Sequence, residues 1–527
     1  MQKAVGATSR QASHMLSVTA LISGSTFAVC YFRLFIFPHV PVLPGGDQLG
    51  FAAQGARIVA GQLPYRDYFQ IVPPGTDLVY AFLFRAFGVW TWIPGLVMAC
   101  LAATVAMLVT LVSGRVMQGL DVAMPGVLIA GFILFSSLDA THHWFSTIVA
   151  MAAMMVLLDG SSNRHVAGAG ALSGLTACFT QTKGAVVLAA FVAYIIWQSR
   201  QIHVPGKPSR RCLLLCGAAA TVFGLANAYF IFAAGIRQWL YCVVLFPLLY
   251  YPALPWNNWR VVGQDLAGDG AVWRWIPFPL LYAVPFVYVV FFLHLRNNRK
   301  RDQTQNWDQL LLIALTGTAM FLAVASSPSV ERLSTVSPPA MILLVWLLGR
   351  FGRTAAKLKI VLGVGGIAVA VAGPIRAQTR SWSFLDLPAG RTAFKDVAGY
   401  EEYRWVLGHT HPGQFFFGLP MYIPFRMRDP AAIEFYDGSE YTRPEQVAAL
   451  VQALEERQVP LLILGVSKKY PFDTTSPRLA PFRDYLFQKY RLIKIFSTGN
   501  ECWARIGSWQ MGSGLNRGYD ELSRATP

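Results

Sequence analysis

Charge is what this sequence has least of. Asp, Glu, Lys and Arg together make up 13% of its 527 residues, against about a quarter in an ordinary soluble domain. A chain so poor in charge cannot cover a large water-facing surface, which argues against a soluble enzyme of this length. Acidic residues are the scarcer sign, 27 against 44 basic, for a net charge of +17. Cysteines are few as well. The seven of them (Cys30, Cys100, Cys178, Cys212, Cys216, Cys242 and Cys502) fall mostly in or beside apolar runs, with neither metal-ligand nor disulfide spacing, which argues against a redox framework. No convincing internal repeat is visible. Toward the C-terminus there is no nucleophile elbow, phosphate loop or metal cluster.

Apolar residues are abundant, at 54% of the chain. Runs long enough to cross a bilayer, about 16 to 22 residues each, recur between short polar breaks, the pattern of a polytopic helical membrane protein. About eleven spans are expected, at 15–37, 93–113, 122–138, 144–158, 166–181, 184–198, 213–234, 276–295, 308–327, 334–349 and 358–375. The first follows a basic tail (Lys3, Arg10) and has no small-residue cleavage site, so it reads as an anchor. Alternate connections carry Arg115; Arg164; Arg200, Lys207, Arg210 and Arg211; Arg296, Arg299, Lys300 and Arg301; and Arg350, Arg353, Lys357 and Lys359. This positive-inside pattern accounts for the basic excess, which sets orientation and meets anionic lipid headgroups. Nucleic acid is not needed as a partner. The opposite face receives the loop 38–92, the turn at Asp139, the Gln181–Lys183 turn, 235–275, 326–332 and everything after about residue 376.

Beyond residue 376 the hydropathy falls. Pro444–Arg457 has helical apolar spacing with a proline at its start, Pro460–Gly465 and Phe415–Leu419 read as short buried strands, and the segments at Lys494 and Cys502–Ile506 read as a closing hairpin. The expected fold class is therefore an α-helical polytopic membrane domain over 1–375, with interfacial helices in its 38–92 loop, and a small soluble α/β domain over 376–527 on the outer face.

The polar residues able to carry chemistry all fall on that outer face. Asp47, in Pro-Gly-Gly-Asp-Gln, is either the N-cap of a helix starting near Gln48 or a partly desolvated base. Asp139 closes the apolar run Val127–Leu138, a costly position that points to a polar cavity. His142 and His143 follow it; adjacent residues diverge on a helix, so interfacial hydrogen bonding suits them better than a shared metal. Lys183, in a short outer turn, either snorkels to the interface or meets an anionic headgroup. Glu331 and Arg332 form either a mutual ion pair or, through the arginine fork, a phosphate site. Arg57, Tyr65, Arg66 and Asp67 belong to the first loop, with solvated loop charge as their default reading; Pro73-Pro-Gly75 breaks that loop ahead of a membrane-lying segment, Leu78–Phe87. The run Gly363-Val-Gly-Gly reads as helix packing.

Asp47, the run Gly61-Gln-Leu-Pro-Tyr-Arg-Asp67, Pro73-Pro-Gly75, Asp139 and Gln181-Thr-Lys183, in this order and sidedness, resemble the GT-C class of polyprenyl-phosphate-sugar-dependent glycosyltransferases, closest to the bacterial protein-mannosyltransferase-like and aminoarabinose-transferase-like groups. The resemblance covers the membrane part. It departs at position 48, where many members carry Glu after the Asp and this chain carries Gln48. The resemblance implies an enzyme of the bacterial inner membrane that transfers a sugar from a polyprenyl-phosphate donor to a hydroxyl of a glycan, lipid or protein acceptor. It makes Asp47 the catalytic base and Asp139 the second acidic residue, with Lys183 and Arg332 on the donor phosphate and Arg57, Arg66, Tyr65, His142, His143 and Glu331 around the substrate. No cofactor is required; Asp139 orients Asp47 or the acceptor or, with Asp47, holds a divalent metal (Mg or Mn), and these alternatives stay open. The competing class is a transporter or flippase of a lipid-linked or anionic substrate, which the absence of a repeat disfavours.

Overall fold

The computed structural model describes residues 2–201, 207–254, 258–260, 262, 278–418, 421–432, 436–465 and 476–507. Most of the Trp- and Pro-rich stretch 255–277, Leu419 and the end of the chain lie outside the described residues. The chain divides into two compact units, Met1–Arg66 with Gln70–Ser381, and Asp67–Phe69 with Trp382–Pro527.

The first unit is helical. Among the described residues, eight helices are long and apolar enough to cross a membrane, nine if one bent pair counts as a single span. In chain order the unit contains α1 (Gln2–Leu34), α2 (Asp47–Val59), α3 (Gly75–Phe87), α4 (Trp92–Val116), α5 (Met124–Leu128), α6 (Leu134–Ser136), α7 (His142–Asp159), α8 (Asn163–Phe179), α9 (Gln181–Gln201) and α10 (Pro208–Ala234). After two short helices, α11 (Ile236–Leu240) and α12 (Phe246–Leu249), come α13 (Phe278–Asn298), α14 (Trp307–Ala325), α15 (Val330–Val336), α16 (Pro338–Leu348) and α17 (Gly352–Thr379). The boundaries follow local chemistry. Pro208 opens α10, where a missing N–H costs nothing, and Gly235 at φ 84° ends it. Pro338 and Pro339 forbid a continuous helix from α15, and the chain bends by 61° there.

Apart from 334–349, which is the bent pair α15 and α16, two of the eleven expected spans differ. The segment 122–138 becomes α5, a π-turn over Ile129–Ile133 and α6, of five, five and three residues; at 1.5 Å per residue this reaches about 20 Å, short of a hydrocarbon core of about 30 Å. The segment 166–181 becomes α8, of 17 residues. A close approach explains the first: a Cβ on Gly131, inside the π-turn, would stand 2.1 Å from the carbonyl oxygen of Gly366 in α17. Small residues let the backbones touch and the wider turn absorbs the misfit. The Gly363–Gly366 run thus packs a helix as its composition implies, Gly363 meeting Met124 and Gly366 meeting Val127. Likewise α8 lies against α10 through Gly170 and Gly174, whose Cβ positions would fall 2.2 and 2.3 Å from the carbonyl oxygens of Leu215 and Ala219.

Polar contacts sort the connections into two groups, one at each end of the bundle. At one end Arg115 pairs with Asp159, Lys359 with Asp121, and the Arg211 guanidinium donates to the Ser161 carbonyl. At the other, the Gln181 amide donates to the carbonyls of Ile71 and Val243, both at 2.9 Å, and Thr180 reaches the His142 carbonyl. In the loop 38–92, α2 packs on α3 so closely that a Cβ on Gly55 would lie 2.5 Å from that of Tyr80. The opposite face of α3 leaves Leu78, Phe82 and Phe87 exposed, as expected of a helix lying in a lipid interface.

The second unit pairs β1 (Ser383–Leu387) with β2 (Gly390–Phe394) in a hairpin and orders β3 (Leu461–Leu464), β5 (Glu501–Arg505) and β4 (Tyr490–Ile495) as an antiparallel three-stranded sheet, β5 central. The strand expected at Phe415–Leu419 is limited to single parallel bridges, Phe415 to Arg428 and Phe417 to Leu462. The helices Pro444–Glu456 and Ala480–Lys489 bury Val447, Leu450, Leu454, Phe482 and Leu486 against Leu462, Leu464 and Trp503.

Because the carbonyl of Ala219 cannot retreat, Gly174→Ala is expected to lower the detergent-solubilised melting temperature, by an overpacking cost of about 1–3 kcal/mol. Gly217→Ala, whose Cβ would meet nothing within 4 Å, is the matched control and is expected to leave it unchanged or higher.

Candidate active site

Gly46, at φ 64°, turns the chain into α2, and Asp47 is the first residue of that helix. Gly46 occupies the N-cap position, so the N-cap role open to Asp47 in the sequence is not the one it takes. The side chain stays open to solvent while protein surrounds it: burial pushes its pKa up, the Glu331 carboxylate adds to the rise, and the Arg332 guanidinium opposes it.

Asp139 lies within electrostatic reach of Asp47. The short α5–α6 stretch ends before it, and the chain crosses residues 137–141 in extended form to α7. Thr141 Oγ1 donates to Asp139 Oδ1 at 2.9 Å. Burial raises the Asp139 pKa to about 7; the Thr141 bond lowers it, and Asp47 and Glu331 raise it further. Three carboxylates from α2, the 137–141 loop and α15 thus sense one another's charge.

The cations come from other helices. Lys183 lies in the first turn of α9, not in a turn between spans, and is 1% exposed. Its Nζ donates to the His143 carbonyl and to Thr147 Oγ1, both at 2.9 Å, which is not a snorkelling geometry. Thr147 in turn donates to the Thr335 carbonyl at 2.8 Å, joining α7, α9 and α15. Arg332 does not close an ion pair with Glu331. Its Nη1 donates to the Ser327 carbonyl and hydroxyl, at 2.7 and 3.1 Å, and its guanidinium lies 4.9 Å from the Tyr251 ring. Glu331 is exposed and, like Arg332, is close enough to Asp47 to shift its titration.

His142 and His143 do not diverge. Their ring centroids are 3.9 Å apart, and His142 also lies 5.0 Å from the Phe51 ring. As the first two residues of α7 they lack the preceding helical turn that restricts χ1 deeper in a helix. Neither Nδ1 has a hydrogen-bond partner among the described residues. Arg57 and Tyr65 have structural roles elsewhere. Arg57 lies ten residues along α2 from Asp47, about 15 Å by helical rise, and bonds Gln62 Oε1 at 2.7 Å. Tyr65 is buried and donates to the Val72 carbonyl at 2.7 Å; Arg66 is exposed. Among the described residues no three His, Cys, Asp or Glu side chains are grouped to hold a metal ion. In the second unit, an open groove of about 550 Å³ is lined by prolines and by Arg478, already paired with Glu440.

Two residues that sequence reasoning passed over connect these parts. Gln48, buried beside Asp47, accepts the Ala140 N–H on Oε1 at 3.2 Å, and the Tyr80 hydroxyl donates to the Ala140 carbonyl at 3.0 Å. The departure at position 48 was the one visible signal for Gln48. Nothing in the run around Tyr80 marked it.

The raised Asp139 pKa has a consequence for stability. A carboxyl titrating near 7 when folded and about 3.9 when unfolded favours the folded state fully below the lower value, an advantage lost as pH rises through the upper one. Asp139→Asn removes the titration. The variant's melting temperature relative to the parent is expected to climb between about pH 4 and pH 7 and then level off; a pH-independent difference refutes the assignment.

No family model matches the chain, and no curated protein does. Solved structures do. Over 95% of this chain and 99% of the other, it superposes on ArnT from Cupriavidus metallidurans bound to undecaprenyl phosphate, with a TM-score of 0.56 at 11% identity. Over 95% of this chain and 75% of the other, it superposes on the Archaeoglobus fulgidus oligosaccharyltransferase in the apo form, with a TM-score of 0.50 at 11% identity. Both are GT-C glycosyltransferases of many membrane spans, and this chain, a multi-pass membrane protein with a small strand-containing C-terminal part, has the GT-C fold.

Proposed function

We propose that the protein is a membrane glycosyltransferase that moves a sugar from a polyprenyl-phosphate donor to an acceptor hydroxyl with inversion, Asp47 acting as general base. The observation that carries this reading is the Asp47 carboxylate at the start of α2, within electrostatic reach of Arg332, Glu331 and Asp139. The fold shared with an enzyme whose structure holds undecaprenyl phosphate supports a donor of that class. The reading places the protein in a bacterial inner membrane, with the site and second unit on the outer face.

The donor phosphate meets the face of Arg332 not engaged by Ser327, where Nε and Nη2 present the fork suited to phosphate. Lys183, buried against the His143 backbone, adds positive charge without leaving its protein partners. The acceptor oxygen attacks the anomeric carbon as the bond from that carbon to the phosphate oxygen breaks; its proton passes to Asp47 and the electron pair leaves on the polyprenyl phosphate. Phosphate departs without a protonating acid, so one base suffices. Asp139, held by Thr141, orients the acceptor beside Asp47. A single displacement inverts the anomeric centre.

Purified protein given radiolabelled polyprenyl-phosphate sugars and an acceptor extract is expected to release the lipid phosphate and label the acceptor; movement of the intact lipid without release is the transporter's outcome. Asp47→Asn is expected to cut release by about 10²–10⁴-fold, the usual span of general-base assistance, with folding retained. Turnover at the parental rate in that variant refutes the base assignment. Arg332→Lys keeps the charge but loses the fork, and is expected to raise the donor KM more than it lowers kcat.

A further inference from the structure

The segment carrying Asp139 is joined to the helix carrying Asp47 through the backbone of Ala140. Ala140 gives its N–H to Gln48 Oε1 at 3.2 Å and receives at its carbonyl the Tyr80 hydroxyl at 3.0 Å, so the peptide groups on both sides of its Cα are held, one from α2 and one from α3. Both side chains are buried, Gln48 at 2% exposure and Tyr80 at 0%. The clamp is itself rigidly backed, since Gly55 in α2 lies against the Tyr80 backbone at a distance no side chain would permit.

The chemistry of Gln48 argues that the contact is not there for stability. Its Nε2 is buried with no partner among the described residues. An unpaired buried donor costs at least as much as one neutral hydrogen bond returns, so an apolar side chain of the same shape would serve the fold as well. What an apolar side chain cannot do is accept the Ala140 N–H. Gln48 follows Asp47 directly, and Ala140 follows Asp139 directly, so this bond fixes the two carboxyl-bearing residues against each other.

We infer that Gln48 and Tyr80 are positioning residues that clamp the Ala140 peptide and so set Asp139 against Asp47. The inference rests on the proposed transferase reading for its consequence in turnover, but the clamp is a separate property of the structure. Around the clamped segment stand Asp47 on α2, Tyr80 on α3, His142 and His143 on α7, Lys183 on α9 and Glu331 and Arg332 on α15. Neither clamp residue carries charge, so replacing one alters geometry while leaving the charged members of that set in place.

The test uses the full chain in detergent or nanodiscs, with Gln48→Met, Tyr80→Phe and the double variant. Met matches the length of Gln and lacks the acceptor. Amide exchange at 137–141 is expected to quicken in each variant while other segments exchange as in the parent. With a polyprenyl-phosphate sugar as substrate, kcat is expected to fall by about 10- to 100-fold, the scale of an ångström misplacement, at a donor KM within about twofold. The double variant is expected to lose less than the product of the single losses, because both act on one peptide. Parental exchange at 137–141 and parental kcat in Gln48→Met overturn the inference. So does a fall in kcat that only tracks the fraction of folded protein, with no local change in exchange. Asp47→Asn separates the two claims: it is expected to stop release while leaving exchange at 137–141 as in the parent. If the parent releases no lipid phosphate, the transferase reading fails and the exchange arm alone decides the clamp.

Discussion

An ammonium enclosed among membrane helices has no water to turn to, and Lys183 finds its partners in the protein. It donates to the His143 carbonyl and Thr147 hydroxyl, and Thr147 donates to the Thr335 carbonyl. The rest of the site depends on this chain. It ties α7 and the first turn of α9 to α15, joining the helix that carries the adjacent histidines to the one that carries Glu331 and Arg332. Where lipid surrounds a bundle, every polar group must be satisfied from within. Arg33 obeys the same constraint where α6 stops short, donating to the carbonyls of Leu134 and Phe135 at 3.1 and 3.2 Å.

The site is built as two sub-assemblies. The cations and imidazoles belong to α7, α9 and α15 and are locked by the lysine network. The carboxylates Asp47 and Asp139 belong to the loop-borne α2 and to the 137–141 segment, and their link is the Ala140 peptide. Glu331 is the carboxylate on the cationic side, and its charge reaches both others. Such a division suits a displacement in which one side stabilises the leaving phosphate while the other handles a proton.

Much of the helical frame was legible in the sequence, because a run of apolar residues has few alternatives in a bilayer. Each of the eleven expected runs is helical in at least part, and most lie within a few residues of the observed helix. What was misread concerns length and contact. The 122–138 run is apolar throughout, and nothing in its hydropathy shows that Gly131 must meet the Gly366 backbone and widen the turn. The histidines looked divergent because helical geometry was assumed from an interior turn, whereas they open α7. Lys183 looked like a loop residue because a span boundary is soft in hydropathy by the few residues that decide whether an ammonium is buried.

Composition and order along the chain determined which residues would share an end of the bundle, since alternating spans send alternate loops to opposite faces and Asp47, Asp139, Lys183 and Arg332 all lie beside loops of one parity. Only the tertiary structure decided which of them face one cavity, which are spent on holding helices together, and that Gln48 and Tyr80 join the two carboxylates. The physical reason is range. Partition between lipid and water acts residue by residue and can be summed along a sequence, whereas a hydrogen bond between positions 48 and 140 depends on ångström placement that no local preference encodes.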